Sequence, residues 1–200
     1  MDLWHYEREA LEQGHALVCG CDEAGAGPLA GPVYAAAVIL PLGVEIEGLD
    51  DSKKLTEKKR EALFPVIQEK AAAWAVARVE AAEIDATDIL SARMKAMQLA
   101  MDQLSLRPDF ALIDGNRGHG RSFALTTPHR CIVKGDSLSA SIAAASILAK
   151  VSRDRFMVEQ DRLYPAYGFA RHKGYGTAQH REAIARLGPC PIHRRTFLKG

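Results

Sequence analysis

The sequence predicts an α/β fold around a mixed sheet. Apolar runs of strand length alternate with helical patterns along most of the chain. Three of those runs hand a carboxylate to the loop beyond their carboxyl end, where functional sites of open α/β sheets tend to lie. The strand-like segments are residues 16–21, 33–40, 75–79, 110–113 and 131–133, each short and rich in apolar residues.

Taken in order, Ala16-Leu17-Val18 runs through Cys21 straight into Asp22-Glu23 and a glycine-rich loop, and a second strand follows from Val33. Thr56 is placed to cap a helix over 57–73, with Leu63, Val66, Ile67 and Trp74 on one face and Pro65 as a kink or an edge. Thr87 is placed to cap the next helix, in which Leu90, Met94, Met97, Met101 and Leu104 recur at steps of four and three. That stripe reads as core. Residues 137–163 form the longest helical stretch, alanine-rich at first and charged from Arg153 onward. A last helix over 178–187 is stopped by Gly188-Pro189.

The 200 residues suffice for one full-sized core, so a single domain over 1–200 is expected, with a helical portion from about 137 onward. Hydrophobic residues at 48% and charged residues at 26% are ordinary for a globular domain. No apolar run approaches the roughly 20 residues of a membrane span. Residues 1–12 are acidic and polar, unlike a signal peptide. Cys19, Cys21, Cys131 and Cys190 lack metal-ligand spacing and read as free thiols in a reducing cytoplasm. With a net charge of only +1, a nucleic-acid surface has to come from local clustering.

The chemistry lies where strands end. The first strand ends at Asp22-Glu23, Phe110-Ala111-Leu112-Ile113 ends at Asp114-Gly115-Asn116, and Cys131-Ile132-Val133-Lys134 leads to Gly135-Asp136. Neighbouring strand residues face opposite sides, so Asp22 and Glu23 fit a strand end, where both can turn toward a bound cation or phosphate. Four converging carboxylates repel one another unless cations neutralise them, and hard oxygen ligands suit Mg²⁺ or Mn²⁺. The run from Gly25 to Ala30 also satisfies the dinucleotide fingerprint G-x-G-x-x-G/A. That fingerprint should open a helix, whereas a strand follows here, and the two acids repel a pyrophosphate.

Basic groups cluster twice. Asp51-Ser52-Lys53-Lys54-Leu55-Thr56 sets two lysines just before a helix start, suited to a phosphate. Phe169-Ala170-Arg171-His172-Lys173-Gly174-Tyr175-Gly176-Thr177 mixes cations, aromatics and glycines, suited to a nucleic-acid backbone and a stacked sugar or base. His193-Arg194-Arg195 reads as a plain basic tail.

Together these blocks resemble the ribonuclease HII family, the type 2 ribonucleases H. Asp22-Glu23-Ala24-Gly25 followed by Gly27-Pro28-Leu29-Ala30-Gly31-Pro32-Val33 is similar to the family's loop. The Asp51–Thr56 block, Leu112-Ile113-Asp114-Gly115-Asn116 and Val133-Lys134-Gly135-Asp136-Ser137 follow in the same order. So do Ala144-Ala145-Ser146-Ile147-Leu148-Ala149-Lys150-Val151 with Arg153-Asp154, and Tyr167-Gly168-Phe169 with His172–Thr177. The resemblance implies a ribonuclease H-like mixed sheet flanked by helices, with a mainly helical C-terminal part. It implies cleavage of RNA in RNA–DNA hybrids and on the 5′ side of ribonucleotides embedded in duplex DNA, leaving 3′-hydroxyl and 5′-phosphate ends. Asp22, Glu23, Asp114 and Asp136 would hold two Mg²⁺ or Mn²⁺ ions, shared by Asp22, one activating a water and the other steadying the leaving 3′ oxygen. Lys53 would hold a backbone phosphate, and Tyr175 would pack on the deoxyribose 3′ of the ribonucleotide. The loop Gly25-Ala26-Gly27 would read the 2′-hydroxyl through its backbone. Asp154 reads as a structural salt-bridge residue. A cytoplasmic monomer is expected, and no tail motif for a clamp protein is visible.

One position departs from the family. Its loop reads Gly-Arg-Gly where this chain has Gly25-Ala26-Gly27. Alanine lacks the guanidinium fork that bonds a phosphate, a contact worth roughly 1–3 kcal/mol, so the expectation is weaker grip or relaxed site choice with the chemistry retained. The alternative of a different class is a hybrid-binding protein with impaired or no cleavage.

Overall fold

The computed structural model describes residues 2–198. In chain order the main elements are helix α1 (His5–Glu12), strands β1 (Val18–Ala24) and β2 (Val33–Ile39), helix α2 (Glu57–Lys70), strand β3 (Ala73–Val79) and helices α3 (Ala81–Ala86) and α4 (Ile89–Asp102). Strands β4 (Phe110–Asp114) and β5 (His129–Ile132) follow, then helices α5 (Ala140–Leu163), α6 (Phe169–His172) and α7 (Ala178–Leu187). The sheet order is β3-β2-β1-β4-β5. Pairing is antiparallel between β1 and β2 and between β2 and β3, and parallel from β1 through β4 to β5. The chain therefore forms a mixed sheet flanked by helices, as the sequence predicts. Among the described residues no helix is long and apolar enough to cross a membrane.

Period-two alternation divides the central strands between two helical layers. Cys19, Cys21, Val33, Ala35, Ala37, Ala111 and Ile113 face α4, whose Met94, Met97 and Met101 are buried among them, so the methionine stripe is core. Residues of the other parity, including Ala36 and Val38, face the alanine-rich half of α5 together with Leu63, Phe64 and Ile67 of α2. All four cysteines are free.

Several boundaries moved. Helix α2 ends at Lys70, three residues before the sequence reading, and Trp74 lies on β3 opposite Val38. Alanines at 71–73 suit either state, and pairing with β2 decides for a strand. Thr87 ends α3, while Asp88 caps α4 by accepting from the Ser91 amide. Helix α5 starts at Ala140 under a Ser139 cap, after a tight 3-10 turn over Gly135–Ser137. The acidic N-terminal segment forms α1, and its buried Glu7 accepts from Ser139 Oγ (2.6 Å) and the Ser141 amide (3.0 Å) at the start of α5. A carboxylate suits that helix end.

His193-Arg194-Arg195 is not a plain tail. His193 and Arg194 are buried, and they tie the C-terminal segment to the glycine loop, where Ala30 bridges to His193. His180 and His193 bring their Nε2 atoms to 3.0 Å, and His172 stacks on His180 at 4.3 Å. One proton serves the two facing nitrogens, so a second charge there is unfavourable. Burial, with the neighbouring His172 and His193, pushes His180 from the usual 6.5 to about 4, against the opposing bond to the Tyr175 carbonyl. Between those values the unfolded chain binds a proton that the folded chain refuses, so stability falls as pH falls through that window, by about 1.4 kcal/mol per unit of separation. The expected result is an NMR signal for the His180 imidazole that stays neutral at pH 5.5 while the melting temperature is already falling. Titration of that signal near 6.5 would contradict the assignment.

Candidate active site

The register of the parallel pair β1–β4 sets Cys21 beside Ile113, so the next residues, Asp22 and Asp114, leave adjacent strands side by side. Both belong to the parity that faces α5. Asp136 joins them from the turn after β5, which Lys134 enters with a left-handed backbone (φ 59°). Asp114 Oδ1 accepts from the Gly135 amide at 2.7 Å and from the Asp136 amide at 3.4 Å, so one acid positions the backbone that carries the next. Asp22, Asp114 and Asp136 each offer an oxygen, all within 4.8 Å of one another.

Glu23 is the next residue on the same strand and takes the other face. It reaches Arg93 of α4 at 2.6 Å, while its Oε2 is buried without a partner among the described residues. The structure thus brings three of the four predicted acids into one cluster and holds the fourth at its rim by an ion pair. Arg93 escaped the sequence reading because it sits beside the methionine stripe, where a lone arginine reads as solvated surface.

Lys53 Nζ donates to Asp136 Oδ2 at 2.6 Å and is otherwise open, its side chain 72% exposed. Lys54 pairs instead with Asp50 at the surface. A cavity of about 240 Å³ joins Asp22, Glu23, Lys53, the loop Gly25-Ala26-Gly27 and Tyr175. Tyr175 is 45% exposed at its mouth. Lys150 and Arg60 line the same cavity and converge on Asp154 at 2.8 and 3.9 Å, so Asp154 acts as a salt-bridge anchor. His172 of the basic, aromatic segment is buried and bonds the Tyr167 carbonyl and the Gly174 amide, which makes it a brace.

The electrostatics fit a cation site. Burial, then the charges of Glu23 and Asp114, holds Asp22 well above the usual carboxylate range. Burial and Asp136 raise Asp114, and burial raises Glu23 against the opposing pull of Arg93. Burial alone would lower the Lys53 ammonium, yet its bond to Asp136 and the nearby Asp22 and Asp51 hold it above the usual lysine range. Asp22 and Asp114, both held above the usual range, gather with Asp136 into one set of oxygen donors, and beside them the Glu23 Oε2 is buried with no partner among the described residues; such a set matches the needs of hard divalent cations.

A sheet of this order, with acids gathered at the carboxyl ends of its central parallel strands, defines a ribonuclease H-type nuclease. The structure of ribonuclease H2 from Pyrococcus horikoshii superposes with a TM-score of 0.73 at 27% identity, covering 90% of this chain and 93% of that one. The chain belongs to the ribonuclease HII family, whose model, described as Ribonuclease HII, matches residues 19–199. The ribonuclease HII of Geobacter metallireducens is 55% identical over 98% of this chain and 90% of its own length. That of Acetivibrio thermocellus is 54% identical over 100% of this chain and 76% of its own length. Ribonucleases of this family work with divalent metal ions, and the acid cluster fits that requirement.

Proposed function

We propose that this chain is one catalytic domain that cuts the RNA strand of RNA–DNA hybrids and the 5′ side of a ribonucleotide embedded in duplex DNA. The products carry 3′-hydroxyl and 5′-phosphate ends. The observation that carries the reading is that Asp22, which shares one acid cluster with Asp114 and Asp136, also lines the cavity formed by Glu23, Lys53, the glycine loop and Tyr175. Asp22, Asp114 and Asp136, with Glu23 alongside, would hold Mg²⁺ or Mn²⁺. When bound, such ions supply Lewis-acid activation of water and neutralise charge at the leaving oxygen.

The chain's own residues do the rest. Asp114 fixes the turn that presents Asp136 through the Gly135 and Asp136 amides. Arg93 orients Glu23. Lys53, tethered only at its ammonium, is free to exchange Asp136 for a backbone phosphate of the substrate. Tyr175 offers its ring face to a deoxyribose, and the 25–27 backbone meets the ribose 2′-hydroxyl. A binding-only role is disfavoured, since acids gathered beside a phosphate surface only repel the ligand when no cation joins them.

The test is a DNA duplex carrying one ribonucleotide, incubated with Mg²⁺ or Mn²⁺. One cut 5′ to the ribonucleotide is expected. Retained binding without cleavage at high enzyme concentration would establish the binding-only alternative. In the same assay Ala26→Arg restores a phosphate-bonding fork and should tighten binding by roughly tenfold. Unchanged affinity and unchanged site choice would remove position 26 from substrate contact.

A further inference from the structure

The loop after β1 has almost no side chains of its own to hold it, and two guanidinium groups grip it from behind. Arg194, 0% exposed, donates Nε to the Gly31 carbonyl (2.9 Å), Nη1 to Ala26 (2.8 Å) and Nη2 to Gly25 (2.5 Å). Arg153, 1% exposed, donates to the carbonyls of Ala30 (3.0 Å), Pro32 (3.2 Å) and Lys173 (2.9 Å). Arg153 thereby links the glycine loop to the segment that carries Tyr175. Gly25 is required at this contact, because a Cβ there would lie 2.0 Å from Arg153 Nε.

Among the described residues neither arginine forms an ion pair. Burying two like charges with carbonyl dipoles as their direct partners, and carboxylates only at a distance, is costly, so the arrangement is a poor device for stability by itself. Its geometric consequence lies on the other side of the loop. The peptides are trans, and a trans peptide points its N–H opposite to its C=O. With the Gly25 and Ala26 carbonyls turned to Arg194, the amides of Ala26 and Gly27 point away from it. Neither amide has an acceptor among the described residues, and both residues line the cavity that holds Asp22 and Tyr175. Successive N–H groups of this kind form an anion-binding nest, and a charged donor on each carbonyl strengthens the N–H of the same peptide.

We propose that Arg194 is the positioning residue for ribose selection: by holding the Gly25 and Ala26 carbonyls it aims the Ala26 and Gly27 amides at the 2′ oxygen of the substrate. The inference rests on the nuclease reading above. It has particular weight in this chain, where position 26 carries only a methyl group, leaving recognition there to the backbone.

The experiment measures affinity for two DNA duplexes of identical sequence, one with a single ribonucleotide and one without, in Ca²⁺ to suppress cleavage. The ratio of the two affinities is the readout, because it does not depend on the fraction of folded protein. Arg194→Met is expected to lower the ratio by about tenfold while leaving affinity for the all-DNA duplex within about twofold. Arg194→Lys keeps the charge without the span to reach three carbonyls, so it should lose most of the ratio too. A folded variant that retains the wild-type ratio would overturn the proposal. Should both variants fail to fold, the wild-type protein decides. Its Ala26 and Gly27 amide resonances must shift with the ribonucleotide duplex and not with the all-DNA duplex, and unshifted resonances would overturn the proposal. A wild-type protein that shows no preference in Ca²⁺ and no cleavage in Mg²⁺ or Mn²⁺ refutes the nuclease reading itself, a separate outcome.

Discussion

Replacing Asp114 by asparagine is expected to abolish cleavage and, at the same time, to raise the melting temperature of the metal-free protein. The two effects share one cause. Asp114 lies within 4.8 Å of Asp22 and Asp136, and burial plus the Asp136 charge holds its carboxyl above the usual range. A carboxyl raised in the folded state binds its proton there more tightly than in the unfolded chain. Stability therefore falls as pH rises out of the carboxylate range, and the cost is present at neutral pH. Asparagine removes the charge and keeps an oxygen to accept from the Gly135 and Asp136 amides. Relief of that cost should raise the melting temperature measured in EDTA. In Mg²⁺ or Mn²⁺ the order should reverse, because the wild type gains binding energy that the variant lacks. Loss of one ligand to cations worth several kcal/mol of barrier should slow cleavage by about 10³-fold or more. Calorimetry with and without EDTA checks the first effect and the ribonucleotide assay the second. Unchanged turnover would exclude Asp114 as a ligand.

The strand-then-acid pattern was legible because it is local: apolar residues at strand length, then an acid, then a glycine or a short turn. Even the parting of Asp22 from Glu23 follows from the two-residue period of a strand, although both were expected to turn toward one ligand. What the period lacked was Arg93, the group that receives Glu23 on the α4 side. Residues 75–79 read as a strand from sequence, but Trp74 reads as the last residue of the helix face because the alanines before it carry no periodicity, and the register with β2 gives it to β3. Helix α1 was missed because its polar face dominates its composition, and its value lies in one buried glutamate at the start of a helix far along the chain. Arg153 and Arg194 were hidden for the opposite reason. An arginine in a basic run reads as solvated, and their partners are backbone carbonyls supplied by distant loops, which no sequence pattern advertises.

The close approach of α5 to β1 leaves Gly20 no room for a methyl group. A Cβ there would lie 2.2 Å from the carbonyl carbon of Ser141 and 2.3 Å from the amide nitrogen of Ile142. These are backbone atoms in the first turn of a helix, so no rotamer change relieves the clash. Nor can the strand retreat, since Gly20 pairs with Val38 of β2 on one side and Leu112 of β4 on the other. Gly20→Ala should therefore cost about 3 kcal/mol or more, a fall of roughly 6–12 °C in melting temperature. Gly43→Ala is the control. Its φ of 79° disfavours a side chain, but nothing lies within 4 Å, so only backbone strain of about 1–2 kcal/mol is expected. A Gly20→Ala protein melting within about 2 °C of wild type would show that α5 can shift as a body. Such a shift carries a consequence for the site: Gly20 stands two residues before Asp22 on the same face, and the turn bearing Asp136 leads directly into α5. Displacing the helix separates Asp136 from Asp22, so a folded variant should lose cleavage well beyond its loss of stability. Packing at Gly20 and assembly of the acid cluster are thus one structural requirement, imposed by the same helix on the same strand.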